Sequence, residues 1–443
     1  MIPTIVIFNV FAIAMWKCTR FSRAAVIYCS SSAAARHAMT GSSASMKVLV
    51  VGSINVDLYQ HLASGKAAFA TKAVDITPIK GMTLPAANFL RTPTIAAAVE
   101  AAGLKCKANG EEALVLSMDG PFTQKTGGKG ANAAAAAGQT WPSEFIGNFG
   151  ASSAAENLAL REDLASFGQV DVSRCTTLEA APTGTAYILL FDDNDNAIIL
   201  IGGANQLWPP AAALKTGPEG ESLRSAVSEC VCVMLQREVP DYVNLATARL
   251  AAEAGKPVFM DVGGTDAPLD EALLPFITCI APNESELTFI AGVPTSDGDG
   301  ADAAISPAKV RAAVSALKQK FAAAGNTGVE VLVTLGGMGS CFFAKGWEGG
   351  GGSGAEQLEC RMGVFPLETD DGKPKDTTGA GDCFRGSFVG ARYGEGKTVE
   401  EAMKWAAAAG SLSVEVEGAM PSMPHRSKIE QRVTKPMSEL GAF

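Results

Sequence analysis

The sequence predicts an α/β fold: a largely parallel β-sheet covered by helices on both faces, with a small second sheet over it as a lid. From position 47 onward, short β-branched runs alternate with longer helical patterns, the order that crossover helices between parallel strands require. A second texture, the strand runs at 113–116, 185–191 and 197–201, stands outside that alternation, and these would form the lid. Size agrees: 443 residues, 47% hydrophobic and only 19% charged, supply a large core and exclude a disordered chain.

The chain opens on a different composition. Residues 1–46 hold Lys17, Arg20, Arg23 and Arg36 but no acid; the first carboxylate is Asp57. An acid-free, Ser/Ala-rich leader with scattered Arg reads as a targeting segment for a plastid or mitochondrion. The alternative is a start at Met46, immediately before the first strand, in a cytoplasmic protein. The apolar run at 2–16 is too short for a membrane span and lacks a basic front, so no membrane partner is expected.

The body, expected over 47–430 with a tail at 431–443, then follows in order. Strand patterns fall at 47–51, 144–148, 231–235, 257–261, 279–281 and 329–334. Helical patterns fall at 131–137, 154–167, 242–254, 284–291, 308–323, 380–392 and 399–414. Lid strands are expected near 111–120 (from Ala113) and at 185–201, where Asp192 to Asn196 forms the turn of a hairpin. Residues 63–109 show little periodicity and read as an insertion.

Charge and composition narrow the chemistry. The net charge of −10 becomes −14 once the basic leader is set aside, which excludes a nucleic-acid binder working by phosphate neutralisation. Histidine is scarce, His37, His61 and His425, so proton transfer falls to a carboxylate. No CxxC pair occurs among ten cysteines, so reduced, mostly buried thiols are expected; Cys230 and Cys232 would share one strand face. Gly349, Gly351 and Gly354 match GxGxxG but lack a following helix, and Gly396-Lys397-Thr398 lacks the first P-loop glycine, which is Ala391 here.

The run Asp376-Thr377-Thr378-Gly379-Ala380-Gly381-Asp382 carries the strongest chemical signal. Gly379, Ala380 and Gly381 precede a helix, so their N–H groups would lack internal acceptors and could receive an anion. Asp382, in the first turn, would accept a proton from an attacking alcohol. Asn55 and Asp57 project to one side of an extended segment beyond the first strand, where they suit adjacent sugar hydroxyls, although a turn role fits them equally when taken alone. Gly127-Gly128-Lys129-Gly130-Ala131-Asn132 leads into an Ala-rich helix and permits close approach to a ligand. Gln236-Arg237-Glu238, Asn283 to Glu286, and Thr334 to Gly339 follow three further strands, where open parallel sheets present ligands.

In this order the segments resemble the PfkB carbohydrate kinase family, also called ribokinase-like, from about Lys47 to Arg426. The runs ending at Asp382 and Asn132 are specific to the family. Gly52 to Asp57, Gly203-Ala204-Asn205 and Gln236 to Glu238 favour its ribose-phosphorylating branch. The resemblance implies a three-layer α/β/α domain with a β-sheet lid, ATP-dependent phosphorylation of D-ribose to ribose 5-phosphate, and a homodimer formed through the lid. A fructokinase or nucleoside kinase is the alternative within the family, and a non-catalytic binding relative the alternative outside it. It further implies Asp382 as base, with Gly379, Ala380 and Gly381 as anion hole. Asn55, Asp57, Gly128, Lys129, Asn132, Glu238 and Asp382 would hold the sugar; Asn283, Thr334, Gly336, Gly339 and Gly381 would approach ATP. Glu286 would act on Mg²⁺ through water. Asp376, Thr378, Ser413, Val416, Gly418 and Ser422 would hold a monovalent cation such as K⁺, several through carbonyls. Two departures stand out: Ala407 where some relatives place a His near adenine, and Arg385, a large charge three residues after the base.

Overall fold

A computed structural model describes residues 46–61, 123–151, 154–190, 196–265, 267–297, 304–348 and 358–438, with short strands at 4–7, 69–70, 75–76, 83–85 and 114–117. Most of the leader and of the 63–109 insertion, the hairpin turn at 191–195, the Gly-rich run at 349–357 and the end of the tail lie outside the described residues.

The main sheet has nine strands. Their order is Val170–Asp171, Ser143–Ile146, Lys47–Val51, Cys230–Leu235, Val258–Met260, Cys279–Ile280, Glu330–Thr334, Ser340–Phe343 and Glu359–Met362. The first seven run parallel, Ser340–Phe343 runs opposite to them, and Glu359–Met362 is antiparallel in turn to Ser340–Phe343, so the sheet is mainly parallel as expected. Strand periodicity divides the core in two. Val48, Val50, Met234, Phe259 and Leu332 face one layer; Leu49, Val51, Leu235, Met260 and Val333 face the other. Both layers are apolar because both are covered, which is why these strands read as continuous hydrophobic runs.

The first layer holds helices Lys129–Gly138, Ala154–Ser166, Ala380–Val389 and Val399–Ser413; the second holds Pro218–Ser228, Asp241–Glu253, Glu284–Ala291 and Pro307–Ala323. The three-layer α/β/α fold is therefore present. Two helices in the first layer pack almost backbone to backbone: a carbon added to Gly386 would lie 2.4 Å from the Ala133 carbonyl oxygen. That closeness joins the two segments that matter most to the site. Phe388 anchors the same helix to the sheet, its ring 6.0 Å from Phe259 and 6.1 Å from Phe342.

A separate five-stranded sheet forms the lid, in the order Thr83–Pro85, Asn196–Ile201, Gly184–Leu190, Asn55–His61 and Thr123–Gly127. The expected hairpin pairs antiparallel, Thr185 opposite Ile201. The strand expected near 111–120 is a correction: Leu114–Ser117 pairs with Thr4–Ile7 and Phe69–Ala70 in a different sheet. Its place in the lid is taken by Thr123–Gly127 beside Asn55–His61, polar strands whose pairing only long-range contacts decide. Cys230 and Cys232 also differ from expectation. An irregularity in the pairing between them interrupts the alternation, so Cys230 faces one layer and Cys232 the other. The seven cysteines among the described residues are free, five of them buried.

Candidate active site

The site gathers where the main strands end and the lid begins. Asp382 sits in the first turn of helix Ala380–Val389 and is only 4% exposed. Asn132 Nδ2 donates to its Oδ2 at 2.8 Å, and Lys129 Nζ donates to its Oδ1 at 3.2 Å. Both donors come from helix Lys129–Gly138, whose N-cap is Gly128. Gly128 has φ of 95°, and a side-chain carbon there would lie 2.9 Å from the Asn55 nitrogen. Only glycine lets this helix start against the lid strand.

The expected anion hole is changed in one member. Ala380 N–H donates to the Thr377 carbonyl at 3.2 Å, whereas Gly381 and Asp382 N–H have no backbone acceptor among the described residues. The first-turn donors that remain are therefore Gly381 and Asp382, beside Gly379 at the N-cap.

The sugar-side residues also converge. Glu238 Oε2 accepts from Ser53 Oγ at 2.6 Å and from Lys129 N at 3.1 Å, and Asn55 Nδ2 stands 3.5 Å away. Asp57 is 3% exposed, and its Oδ1 has no hydrogen-bond partner among the described residues; Asn132 Oδ1 is equally buried and unpartnered. Such acceptors are costly unless a ligand donates to them. Burial, then the charges of Glu238, Asp382 and Asp376, push the Asp57 carboxyl well above its usual range, with Lys125 opposing. Burial also raises Glu238, although Lys129 and Ser53 oppose it.

Four residues with clear placements were absent from the expected set. Ser53 is the donor to Glu238 just described. Asn205, 1% exposed, accepts from Ile54 N at 3.0 Å and donates to the Ile54 carbonyl at 3.0 Å and to Asn55 Oδ1 at 2.8 Å. It therefore fixes which end of the Asn55 amide faces Glu238. Asp261, beyond strand Val258–Met260, pairs with Lys129 at 3.4 Å and with Arg385 at 3.2 Å. Arg385 is the fourth. Burial alone would lower the Lys129 ammonium, but Asp261 and Asp382 outweigh it and hold it well above its ordinary value, a permanent cation. The position of Asp261 at a strand end was legible, but its charged partners are more than a hundred residues away.

On the nucleotide side, Asn283 and Glu286 form a reciprocal capping box: Glu286 N donates to Asn283 Oδ1 at 2.7 Å, and Asn283 N to Glu286 Oε2 at 2.8 Å. Arg385 also donates to Oε2, at 3.2 Å, and no donor reaches Oε1 among the described residues. One hard, uncommitted carboxylate oxygen suits a hydrated Mg²⁺. Thr334 bridges to Asn283 from the neighbouring strand, and Gly336 faces open space. Gly339 does not: a carbon there would meet the Met362 carbonyl at 2.1 Å, so strand packing rather than nucleotide approach requires that glycine.

The cation-site residues fall into two groups. Asp376 is buried, and its two oxygens accept from Thr378 N at 2.9 Å and Gly418 N at 2.8 Å, which pins two loops together. The Ser413 and Ser422 hydroxyls donate locally, to the Gly410 and Ala419 carbonyls, and Val416 is exposed. The carboxylate and both hydroxyls being engaged, a monovalent ion would rest mainly on backbone oxygens. Ala407 is buried in helix Val399–Ser413.

Comparison with known proteins follows the same lines. The sequence profile of the pfkB family carbohydrate kinases matches residues 100–426. The chain is 36% identical over 306 residues to the ribokinase of Arabidopsis thaliana, covering 68% of this chain and 70% of that protein. It is 30% identical over 307 residues to the ribokinase of Haemophilus influenzae, covering 68% and 85%. The structure of Arabidopsis thaliana ribokinase complexed with ribose and ATP is similar with a TM-score of 0.63 and 29% identity, covering 88% of this chain and 100% of that one. Ribokinase from Giardia lamblia, at 21% identity and a TM-score of 0.61, shares the fold.

Proposed function

The chain belongs to the pfkB family of carbohydrate kinases, and on that premise we propose that it is a ribokinase, transferring the γ-phosphoryl group of ATP to the terminal hydroxyl of D-ribose. The observation that carries the reading is the pair of buried, unpartnered acceptors, Asp57 Oδ1 and Asn132 Oδ1, beside a carboxylate at a helix start. A polyhydroxyl ligand supplies the donors that both acceptors lack.

Asp382 takes the proton of the attacking hydroxyl as the oxygen–phosphorus bond forms. Asn132 and Lys129 hold its two oxygens in place, and Lys129 adds positive charge beside the reacting groups. The free N–H groups of Gly379, Gly381 and Asp382, with the helix dipole, stabilise charge on the transferred group. Asn55, Asp57 and Glu238 orient the sugar, and the lid strand that carries Asn55 and Asp57 limits water around it. Glu286 Oε1 would hold a water of Mg²⁺, an ion that when bound would neutralise phosphate charge. Backbone oxygens near Asp376, Thr378 and Gly418 would hold K⁺, which would support the anion-hole loop.

Among the described residues no further strand pairs with the outer strands of the lid, Thr83–Pro85 and Thr123–Gly127, which supports pairing of two copies there; light scattering tests it. The acid-free leader supports delivery to a plastid or mitochondrion, tested by locating a fluorescent fusion with and without residues 1–45. The function itself is tested by an acceptor screen that follows ADP release. Ribose is the expected acceptor; turnover of fructose or adenosine with none of ribose would overturn the assignment.

A further inference from the structure

Arg385 follows Asp382 by about one helical turn. It is 3% exposed, and its guanidinium joins two carboxylates from different strand ends. Nη1 donates to Asp261 Oδ2 and Nη2 to Glu286 Oε2, each at 3.2 Å. A carbon added to Gly381 would lie 2.9 Å from Nη1, so the cation stands directly beside the helix start that receives the anion. Two acidic groups converging on one positive centre next to a phosphate site is the arrangement a divalent ion would adopt, here with an organic cation in its place.

The pairing is also selective within Glu286. Asn283 N and Arg385 share Oε2, which leaves Oε1 alone unengaged. Through Asp261, the same guanidinium steadies the Lys129 ammonium that lies against the base. Lysine could not replace it, because a single ammonium lacks the planar fork that spans two carboxylates.

Building on the phosphoryl-transfer reading above, we propose that Arg385 is a resident cation of that site: it fills the place between Asp261 and Glu286 that a free divalent ion would take, and it aims Glu286 Oε1 at the metal arriving with the nucleotide. It is a positioning residue, since it acts through Asp261, Lys129 and Glu286. Its removal leaves Glu286 without its cation and Asp261 with Lys129 alone, a deficit of positive charge that a divalent cation relieves.

The test uses the full chain and Mn²⁺ alone, titrated calorimetrically with neither nucleotide nor sugar. Arg385→Gln should bind Mn²⁺ at least about tenfold more tightly than the unsubstituted chain. Arg385→Lys, which keeps the charge, should not. In turnover, both variants should lose kcat, by up to about 100-fold, with the KM for ribose nearly unchanged. A variant carrying both Asp261→Asn and Arg385→Gln removes the buried charges together and should fold without gaining Mn²⁺ uptake. Mn²⁺ uptake by Arg385→Gln no tighter than the parent's, or unchanged kcat in both single variants, overturns the proposal. The Mn²⁺ arm needs no substrate, so it stands apart from failure of the parent chain to phosphorylate ribose, which would count against the functional assignment.

Discussion

Asn132 Nδ2 donates to Asp382 Oδ2 at 2.8 Å, joining two helix starts that are 250 residues apart in sequence. Lys129, one turn earlier on the same helix as Asn132, takes the other oxygen. The proposed base is thus oriented by one helix, which also carries two of the residues proposed to hold the sugar, Lys129 and Asn132. Replacing Asp382 by Asn should lower kcat by about 10²–10⁴-fold while calorimetry still detects ribose binding. Near-normal turnover in that variant would remove Asp382 from the mechanism.

Asn205 should act on the sugar and not on the nucleotide. Its side chain holds both polar groups of Ile54 and the Asn55 oxygen, so Asn205→Ala frees the Asn55 amide to rotate. The expected result is a KM for ribose raised about tenfold, with the KM for ATP unchanged. A stability loss of about 1–3 kcal/mol should accompany it, because buried groups lose partners. Equal changes in both KM values would contradict this role.

Asp57 predicts a pH signature. Its folded pKa is raised, chiefly by burial and then by Glu238. The sign follows from linkage: its contribution to stability is fully present below the unfolded value, about 4, and is lost as pH rises through the folded value. Asp57→Asn should therefore raise Tm at neutral pH, with the gain vanishing in acid, while ribose affinity falls. A Tm difference independent of pH would refute the assigned cause.

Phe388 links core packing to catalysis. Its ring meets Phe259 and Phe342 on the sheet and fixes the helix whose first turn holds Asp382. Phe388→Ala should cost about 3–5 kcal/mol by chemical denaturation. Turnover per folded molecule should fall as well, since the helix start would no longer be held against Asn132; full activity per folded molecule would show that the two are uncoupled.

A monovalent-ion response follows from Asp376, whose carboxylate pins Thr378 and Gly418 beside the anion hole. Activity should rise several-fold with K⁺ and less with Li⁺, at constant ionic strength. Indifference to K⁺ over a wide range would exclude that site.

By itself the sequence determined the α/β/α class, because short β-branched apolar runs and the helical spacing between them are local signals. Chemistry that rests on a helix start was legible for the same reason: Gly379 to Asp382 announce first-turn N–H groups without internal acceptors, and Gly127 to Asn132 a backbone open to close approach, within a few residues. Strand ends likewise marked Glu238, Asn283 and Thr334. What the local pattern could not decide was pairing. The strand at 114–117 reads like a lid strand and joins another sheet, while polar Thr123–Gly127 takes the lid edge. Val231 lies at an irregularity that sends Cys230 and Cys232 to opposite faces, and Gly339 answers to Met362 across a strand. Above all, Asp261 and Arg385 became part of the site only through partners on other elements. A buried charge is tolerable only where its counter-charges converge, and that convergence is a property of the folded chain.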